Sequence, residues 1–375
     1  MKPQPCLQDM PLLVKRTIAD HLESYLDKLS FQKLNKHFQQ VIELNVKDAG
    51  LSISVDGDEV FVAFNWCKRT YKTRYSREGS GSDCHGKMYN LSQSAKQTKK
   101  KLFVNRGAVD MAITDFKMFL NNPGITDLTL DLQLDGRDEG ASDAIRQAVF
   151  DDVSAILRKI AQKPKVKRLN LSCNYGSEET ILQVLPYLSP ETLDTLYLWF
   201  NYGSEINFEK IKHLEQIRGL RELQTSNITN LSFDALPNCI RGSITLDLVD
   251  TGLKDLRKFV KHFRSCPSFE SFEISTYYAD KRLTKALCKP NAFIRGDNAY
   301  IAKLYKTPTK NFLYISIRNG NIEIQGKQRI GHDPSLYEVE TDDKEEDEFY
   351  EVEDDMDYQY RESDDDLEEF WDDSD

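Results

Sequence analysis

Long apolar runs are missing from this chain. No stretch approaches the ~20 residues that a helix needs to cross a bilayer, so no membrane partner is expected. Met10 to Val14 is too short for a secretory signal, and Pro11 interrupts it. Cysteine is sparse: seven residues, an odd number, scattered without metal-ligand spacing. Cys84-His85 is the one Cys-His neighbour pair. That pattern suits reduced thiols in a cytosolic or nuclear protein and argues against a disulfide framework or a zinc module. Catalytic signatures are absent too. There is no G-x-S-x-G, H-E-x-x-H or Cys-x-x-Cys, and Gly79-Ser80-Gly81-Ser82 lacks the Gly-Lys-Ser/Thr of a phosphate loop. No catalytic residue, metal or cofactor is expected.

The formal net charge of −11 is unevenly spread. Residues 339–375 hold 21 Asp and Glu against Lys344 and Arg361, a formal −19, and the remaining 40 acids and 48 bases leave the rest at +8. Like charges repel, and this segment has few apolar groups to bury, which predicts a disordered acidic tail over 339–375. Lys96, Lys99, Lys100 and Lys101 form a short basic run. No aromatic residues interleave with it for base stacking. It reads as a solvated loop, and no specific nucleic-acid partner is expected.

What the chain does have is a leucine cadence that occurs twice. Val166-x-x-Leu169-x-Leu171-x-x-Asn174 is followed by Leu193-x-x-Leu196-x-Leu198-x-x-Asn201, an offset of 27 residues. Both fit the leucine-rich-repeat core pattern. Looser copies flank them: Ile125-x-x-Leu128-x-Leu130, Leu220-x-x-Leu223-x-Thr225, Ile244-x-Leu246-x-Leu248 and Phe269-x-x-Phe272-x-Ile274. Taking Leu246 and Phe272 as the next equivalents gives later offsets of 27, 23 and 26 residues. Such a repeat is a strand plus a returning segment that cannot bury its apolar face alone, so neighbours stack and share one core.

The flanking segments have other periods. Over 9–42, Asp9 can cap a helix, and Val14, Ile18, Leu22 and Leu26 fall four apart on one face. A unit this short makes a poor core by itself, so its apolar stripe needs a partner. Leu51, Ile53 and Val55 alternate, as do Val60, Val62 and Phe64, with Asp56-Gly57 between them as a hairpin signal. Residues 76–87 read as a loop. Helical patterns follow near 107–121, 143–161, 178–187, 207–217 and 252–264. Phe312 to Arg318, Asn319-Gly320 and Ile322 to Gln325 predict a second hairpin positioned to end the stack. The fold class is therefore α/β: a small helical unit (9–42), an irregular leucine-rich-like strand/helix stack (44–330) and the acidic tail.

The order of these parts resembles that of nematode F-box proteins carrying an FTH (F-box-associated, leucine-rich-like) domain. The residues that carry the resemblance begin with Met10-Pro11-Leu12-Leu13-Val14, Ile18, Leu22 and Leu26-Asp27-Lys28-Leu29-Ser30-Phe31-Gln32-Lys33-Leu34. The hairpin at 51–64 and Phe116-Lys117-Met118-Phe119-Leu120-Asn121-Asn122 continue it. Ile181-Leu182-Gln183-Val184-Leu185-Pro186-Tyr187-Leu188-Ser189-Pro190-Glu191-Thr192-Leu193 is similar to that family's leucine-proline segment. Leu214-Glu215-Gln216 and Phe259 to Phe272 extend the match. The resemblance implies a non-catalytic, substrate-recognition subunit of a cullin-based SCF ubiquitin ligase. Its F-box (Met10, Pro11, Leu12, Ile18, Leu22, Leu26) would dock on a Skp-type adaptor, and its repeat domain would hold an unidentified protein target. A leucine-rich interaction scaffold with no ligase role is the alternative.

Alternation assigns the target face. With the leucines pointing inward, the residues between them point out. The candidate contacts are Arg168, Asn170, Thr195, Tyr197, Trp199, Glu222, Gln224 and Asp247, with Tyr197 and Trp199 as aromatic anchors.

Overall fold

The computed structural model describes residues 48–66, 69–77, 84–90, 97–103, 107–121, 125, 127–135, 141–174, 176–200, 205–231, 235–246, 262–263, 266, 268–276, 293–294, 301–306, 312–318, 321–325 and 339–340. The helical unit expected over 9–42, most of the helix expected over 252–264, and residues 341–375 of the acidic tail expected over 339–375 lie outside the described residues; Val339 and Glu340, expected in that tail, are strand.

The described chain is mixed α/β, built on one large sheet with few helices. It begins with an antiparallel meander of β1 (Ala49–Asp56), β2 (Glu59–Trp66), β3 (Arg69–Arg77), β4 (Cys84–Asn90) and β5 (Gln97–Phe103). The first turn is centred on Gly57-Asp58, because the β1–β2 ladder runs out to Asp56 opposite Glu59. Gly57 takes φ +56°, a conformation open to glycine at no steric cost. Two expectations are corrected here. Of the residues 76–87 expected as loop, 76–77 and 84–87 are strand, and Lys99, Lys100 and Lys101 lie in β5, paired with β4, rather than in a solvated loop.

Helix α1 (Ala108–Leu120) follows and packs on the meander. Met111, Ala112, Phe116, Phe119 and Leu120 recur at helical spacing and are buried. The Phe119 ring stacks on Phe64 of β2, with centroids 4.7 Å apart. The buried Tyr75 hydroxyl donates to the Asp115 carboxylate.

The chain then enters the stack: β6 (Leu128–Leu134), α2 (Ala141–Lys159), β7 (Val166–Cys173), α3 (Glu178–Val184), β8 (Thr195–Phe200), β9 (Ile206–Asn207), α4 (Glu215–Gly219), β10 (Glu222–Thr229), β11 (Arg241–Leu246) and β12 (Ser271–Thr276). Strands β1, β6, β7, β8, β10, β11 and β12 lie side by side in parallel, with β9 continuing the β8 position beside β10. The crossover helices shorten from 19 residues in α2 to 7 in α3 and 5 in α4. The expected helix over 207–217 is broken into a 3-10 turn, Phe208–Lys210, and α4. Leu214, at φ −67° and ψ 133°, is extended backbone between the two pieces.

Register makes the core explicit. One inward-facing row runs Leu51, Leu130, Leu169, Leu196, Leu223, Gly242, Phe272; the next runs Ile53, Leu132, Leu171, Leu198, Thr225, Ile244, Ile274. The central offsets of 27 residues are as the cadence predicts, but both ends shift. A bulge places Leu130, not Leu128, beside Leu169. At the other end Leu223 pairs with Gly242, not Leu246, which instead faces Ile228. Gly242 has no side chain to mark the cadence, and the Phe272 ring fills its space.

Each repeat is hooked to the one before. Asp194 N–H donates to the Lys167 carbonyl (2.8 Å), Glu222 N–H to that of Asp194 (3.1 Å), Arg241 N–H to that of Arg221 (3.1 Å) and Glu270 N–H to that of Ile240 (2.9 Å). On the helix side, buried Gln216 Nε2 donates to the Leu188 carbonyl at 2.8 Å, and Lys210 pairs with Glu178.

Beyond β12 the sheet turns antiparallel through β13 (Phe293–Ile294), β14 (Ile301–Lys306), β15 (Phe312–Arg318) and β16 (Asn321–Gln325). The β15–β16 hairpin adjoins the last parallel strand through β16, as expected for an element that ends the stack. β17 (Val339–Glu340) pairs with β14, as does β13. No described helix is long and apolar enough to cross a membrane.

Candidate functional site

Helices and crossovers cover one face of the parallel strands. The other face carries the alternate residues of each strand. One row across it reads Ser52, Asp131, Asn170, Tyr197, Gln224, Ser243, Glu273; the row toward the strand N-termini reads Gly50, Thr129, Arg168, Thr195, Glu222, Arg241, Ser271. Trp199 lies beside Ser172, one row toward the C-terminal ends.

Trp199 is 51% exposed and is the exposed large hydrophobic of the described residues. Tyr197 is half-buried and held from two sides. Its hydroxyl donates to Glu222 Oε1 at 2.8 Å, and the Arg168 guanidinium sits 5.9 Å from its ring centroid. Burial, followed by the Glu222 carboxylate, raises the Tyr197 pKa, so the phenol stays a donor at neutral pH. Glu222 also accepts from Gln224 Nε2 at 3.1 Å and pairs with Arg241, whose Nη1 stands 3.6 Å from Glu270.

Of the residues expected on this face, Arg168, Asn170, Tyr197, Trp199 and Gln224 are accessible on it. Thr195 (2% exposed) and Glu222 (4%) correct the expectation that every outward residue meets a partner. Both stand in the outward row, but longer neighbours close over them, so Glu222 acts as a hub that fixes Tyr197, Gln224 and Arg241. Asp247 lies outside the described residues. Arg241 was missed because the cadence put the β11 equivalent at Leu246. The register from Glu222 to Arg241 is the signal that finds it.

Two polar atoms on this face are shielded from solvent and lack a hydrogen-bond partner among the described residues: Asn170 Oδ1 and Arg241 Nε. Asp131, in the same row as Asn170, has its pKa raised by burial, partly offset by a 2.7 Å hydrogen bond from Gln133.

Elsewhere among the described residues, Tyr75 meets Asp115 and stands near Cys84, with burial and the Asp115 carboxylate raising its pKa, and Lys210 pairs with Glu178 and Glu179. The Cys173 and Cys239 thiols are each pushed up to about 12, chiefly by burial. A groove of about 340 Å³ between α1 and α2 is lined by Ile113, Lys117, Asp152, Ile156, Lys159 and Ile160 among others. It brings one carboxylate to two lysines, with no cysteine or histidine. No group of His, Cys, Asp and Glu that could hold a metal occurs among the described residues.

Residues 147–291 match the FTH domain. The FTH segment opens inside α2 and takes in β7 to β12, so it holds the Tyr197–Glu222–Arg241 cluster and Trp199. The meander and the β15–β16 hairpin lie outside it. No curated protein and no solved structure matches the chain.

Proposed function

We propose that this chain is the target-recognition subunit of an SCF-type cullin ubiquitin ligase. The observation that carries the reading is the FTH match, because FTH domains are associated with F-box proteins. The Leu-Pro-like start at Met10-Pro11-Leu12 and the stripe Ile18, Leu22, Leu26 supply the sequence pattern of an F-box. An apolar helix stripe left in water costs roughly 25 cal/mol per Å², and a groove on a Skp-type adaptor would remove that cost. The open face of the stack would hold the target protein. The chain would catalyse nothing itself; it would raise the local concentration of target lysines near a conjugating enzyme. Cytoplasm and nucleus are the compartments this reading requires.

The test is co-purification of the full chain with a Skp-type adaptor and cullin. The wild type should recover both. Ile18→Asp with Leu22→Asp should lose them, since docking would bury unpaired charge. Equal recovery by the double variant would sink the docking model. One observation favours a second reading, an interaction scaffold without a ligase role: the FTH match starts at residue 147 and leaves 9–42 outside it. A wild-type chain that recovers no adaptor supports that reading.

A further inference from the structure

We propose that the open face over β7 and β8 takes an extended, acidic peptide segment carrying one large apolar residue. The inference rests on the target-binding half of the proposed function and is independent of adaptor docking.

The N-terminal end of β7 is a concentration of unneutralised positive charge. Lys163, Lys165, Lys167 and Arg168 are all exposed, and none forms an ion pair among the described residues. The carboxylates around them are largely committed. Asp194, hydrogen-bonded through its backbone to Lys167, lies 3.8 Å from Arg221 Nε, and Glu222 is held by Arg241. Two acids, Asp127 at the entry to β6 and exposed Glu191 beside Thr192, which bonds to the Val166 carbonyl, are left near the four cations.

Trp199 marks the other end of the strip. Arg168 and Thr195 are register partners, and Trp199 stands four residues beyond Thr195. At about 3.3 Å per residue, that separates Arg168 from the indole by about 13 Å, with the three lysines beyond Arg168. An extended peptide lying along the strands covers the distance in about four residues. Between the two ends lies the Tyr197 ring, braced by Arg168 and Glu222. An aromatic anchor and a cation cluster in line are the complement of an apolar side chain and a run of carboxylates.

Nucleic acid fits less well. A polyanion laid across the strands meets Asp131 on β6 on one side and Glu270 and Glu273 on the other. A short acidic peptide running along β7 and β8 avoids Glu270 and Glu273 and sets its carboxylates at the Arg168 end, two residues before the Asp131 row.

The experiment is fluorescence anisotropy with the full chain and labelled peptides bearing Phe four residues from a Glu-Glu-Glu cluster. Controls replace the cluster with lysines or the Phe with Ser, and a third probe is oligo-uridine. Lys165→Glu with Lys167→Glu, and separately Trp199→Ala, should each weaken the acidic peptide about tenfold or more. Both variants should melt like the wild type. If the charge reversal unfolds the chain, Lys165→Gln with Lys167→Gln takes its place and should weaken binding in the same direction. No measurable binding of any acidic peptide, binding indifferent to both variants, equal binding of the lysine peptide, or oligo-uridine binding as tightly as the acidic peptide overturns the inference. Adaptor recovery from the same preparations separates the two claims. Adaptor recovered with peptide binding indifferent to these residues defeats this inference alone. Peptide bound through these residues with no adaptor recovered defeats the ligase reading alone.

Discussion

Gly242→Ala probes the stacked core at the rung where it carries no side chain. Gly242 lies between Leu223 of β10 and Phe272 of β12. An added Cβ would run into the Leu223 carbonyl oxygen and stand 2.6 Å from Phe272 Cε2. Neither neighbour yields cheaply. β10 is paired on both sides, so its carbonyl cannot retreat without disturbing a ladder. The Phe272 ring is backed by Phe263, with centroids 5.3 Å apart. Two terms oppose each other. Replacing glycine narrows the unfolded ensemble and favours the variant by ~0.4–1 kcal/mol. Overpacking a tight site costs ~1–3 kcal/mol. The steric term should win, leaving a net loss of roughly 0.5–2 kcal/mol, read by urea denaturation followed by far-UV circular dichroism. Gly57→Ala is the contrast. Nothing lies within 4 Å of its added Cβ, and its cost is the left-handed backbone alone, φ +56°. In a Phe272→Leu background the Gly242→Ala penalty should shrink, because part of the clash is the ring, while the Gly57→Ala penalty should not change. A Gly242→Ala variant as stable as the wild type, or a penalty unmoved by Phe272→Leu, refutes the ladder as described.

Further outcomes follow from the same geometry. Leu198→Ala, at a side chain 1% exposed in the second core row, should cost ~2–5 kcal/mol in denaturant titrations. Tyr197→Ala with Trp199→Ala should keep folding and adaptor recovery but lose the target; unfolding of that variant would make the pair core residues. Truncation after Glu340 keeps β17 and should leave the melting temperature nearly unchanged, and a drop of several degrees would show that the acidic segment contributes to folding. Asp131→Asn has a definite sign. Burial raises the Asp131 pKa in the folded state, so the unfolded chain ionises more readily and stability is lost as pH rises through the carboxylate range. The Asn variant should therefore gain stability at pH 7 relative to wild type, with the gain fading below about pH 4. A gain that is the same at both pH values would show that charge at Asp131 is not the cause.

The stack was legible where leucine repeats at fixed spacing, and it blurred where other residues do the same work. Leu169, Leu196 and Leu223 sit in one row at the offset read from sequence. Gly242 occupies the next place in that row, and a cadence built on leucines cannot see it. The meander was half legible. Alternation in β1 and β2 gave the first hairpin, since both bury one face. β4 carries Cys84-His85-Gly86-Lys87, which has neither a β-branched residue nor a turn signal, and the run Lys99-Lys100-Lys101 reads as loop. These strands are specified by antiparallel pairing within the meander rather than by local preference.

The candidate face shows a sharper limit. A period of two tells which side of a sheet a residue faces, and every accessible residue expected on the open face is there. It does not tell how deep the residue sits. Depth on a sheet face is set by the length of side chains on neighbouring strands, which depends on register. By alternation Glu222 falls among the contact residues together with Trp199. Once Arg241 is placed beside it and Tyr197 on its other flank, its carboxylate is covered and its charge is spent on three donors. Trp199 has Ser172 as its partner on β7, too short to cover an indole, and so it stands clear. The same register error that hid Gly242 in the core also hid Arg241 on the face. One residue marks the packing of the stack and the other its surface charge, and they are adjacent in sequence, on opposite sides of one strand.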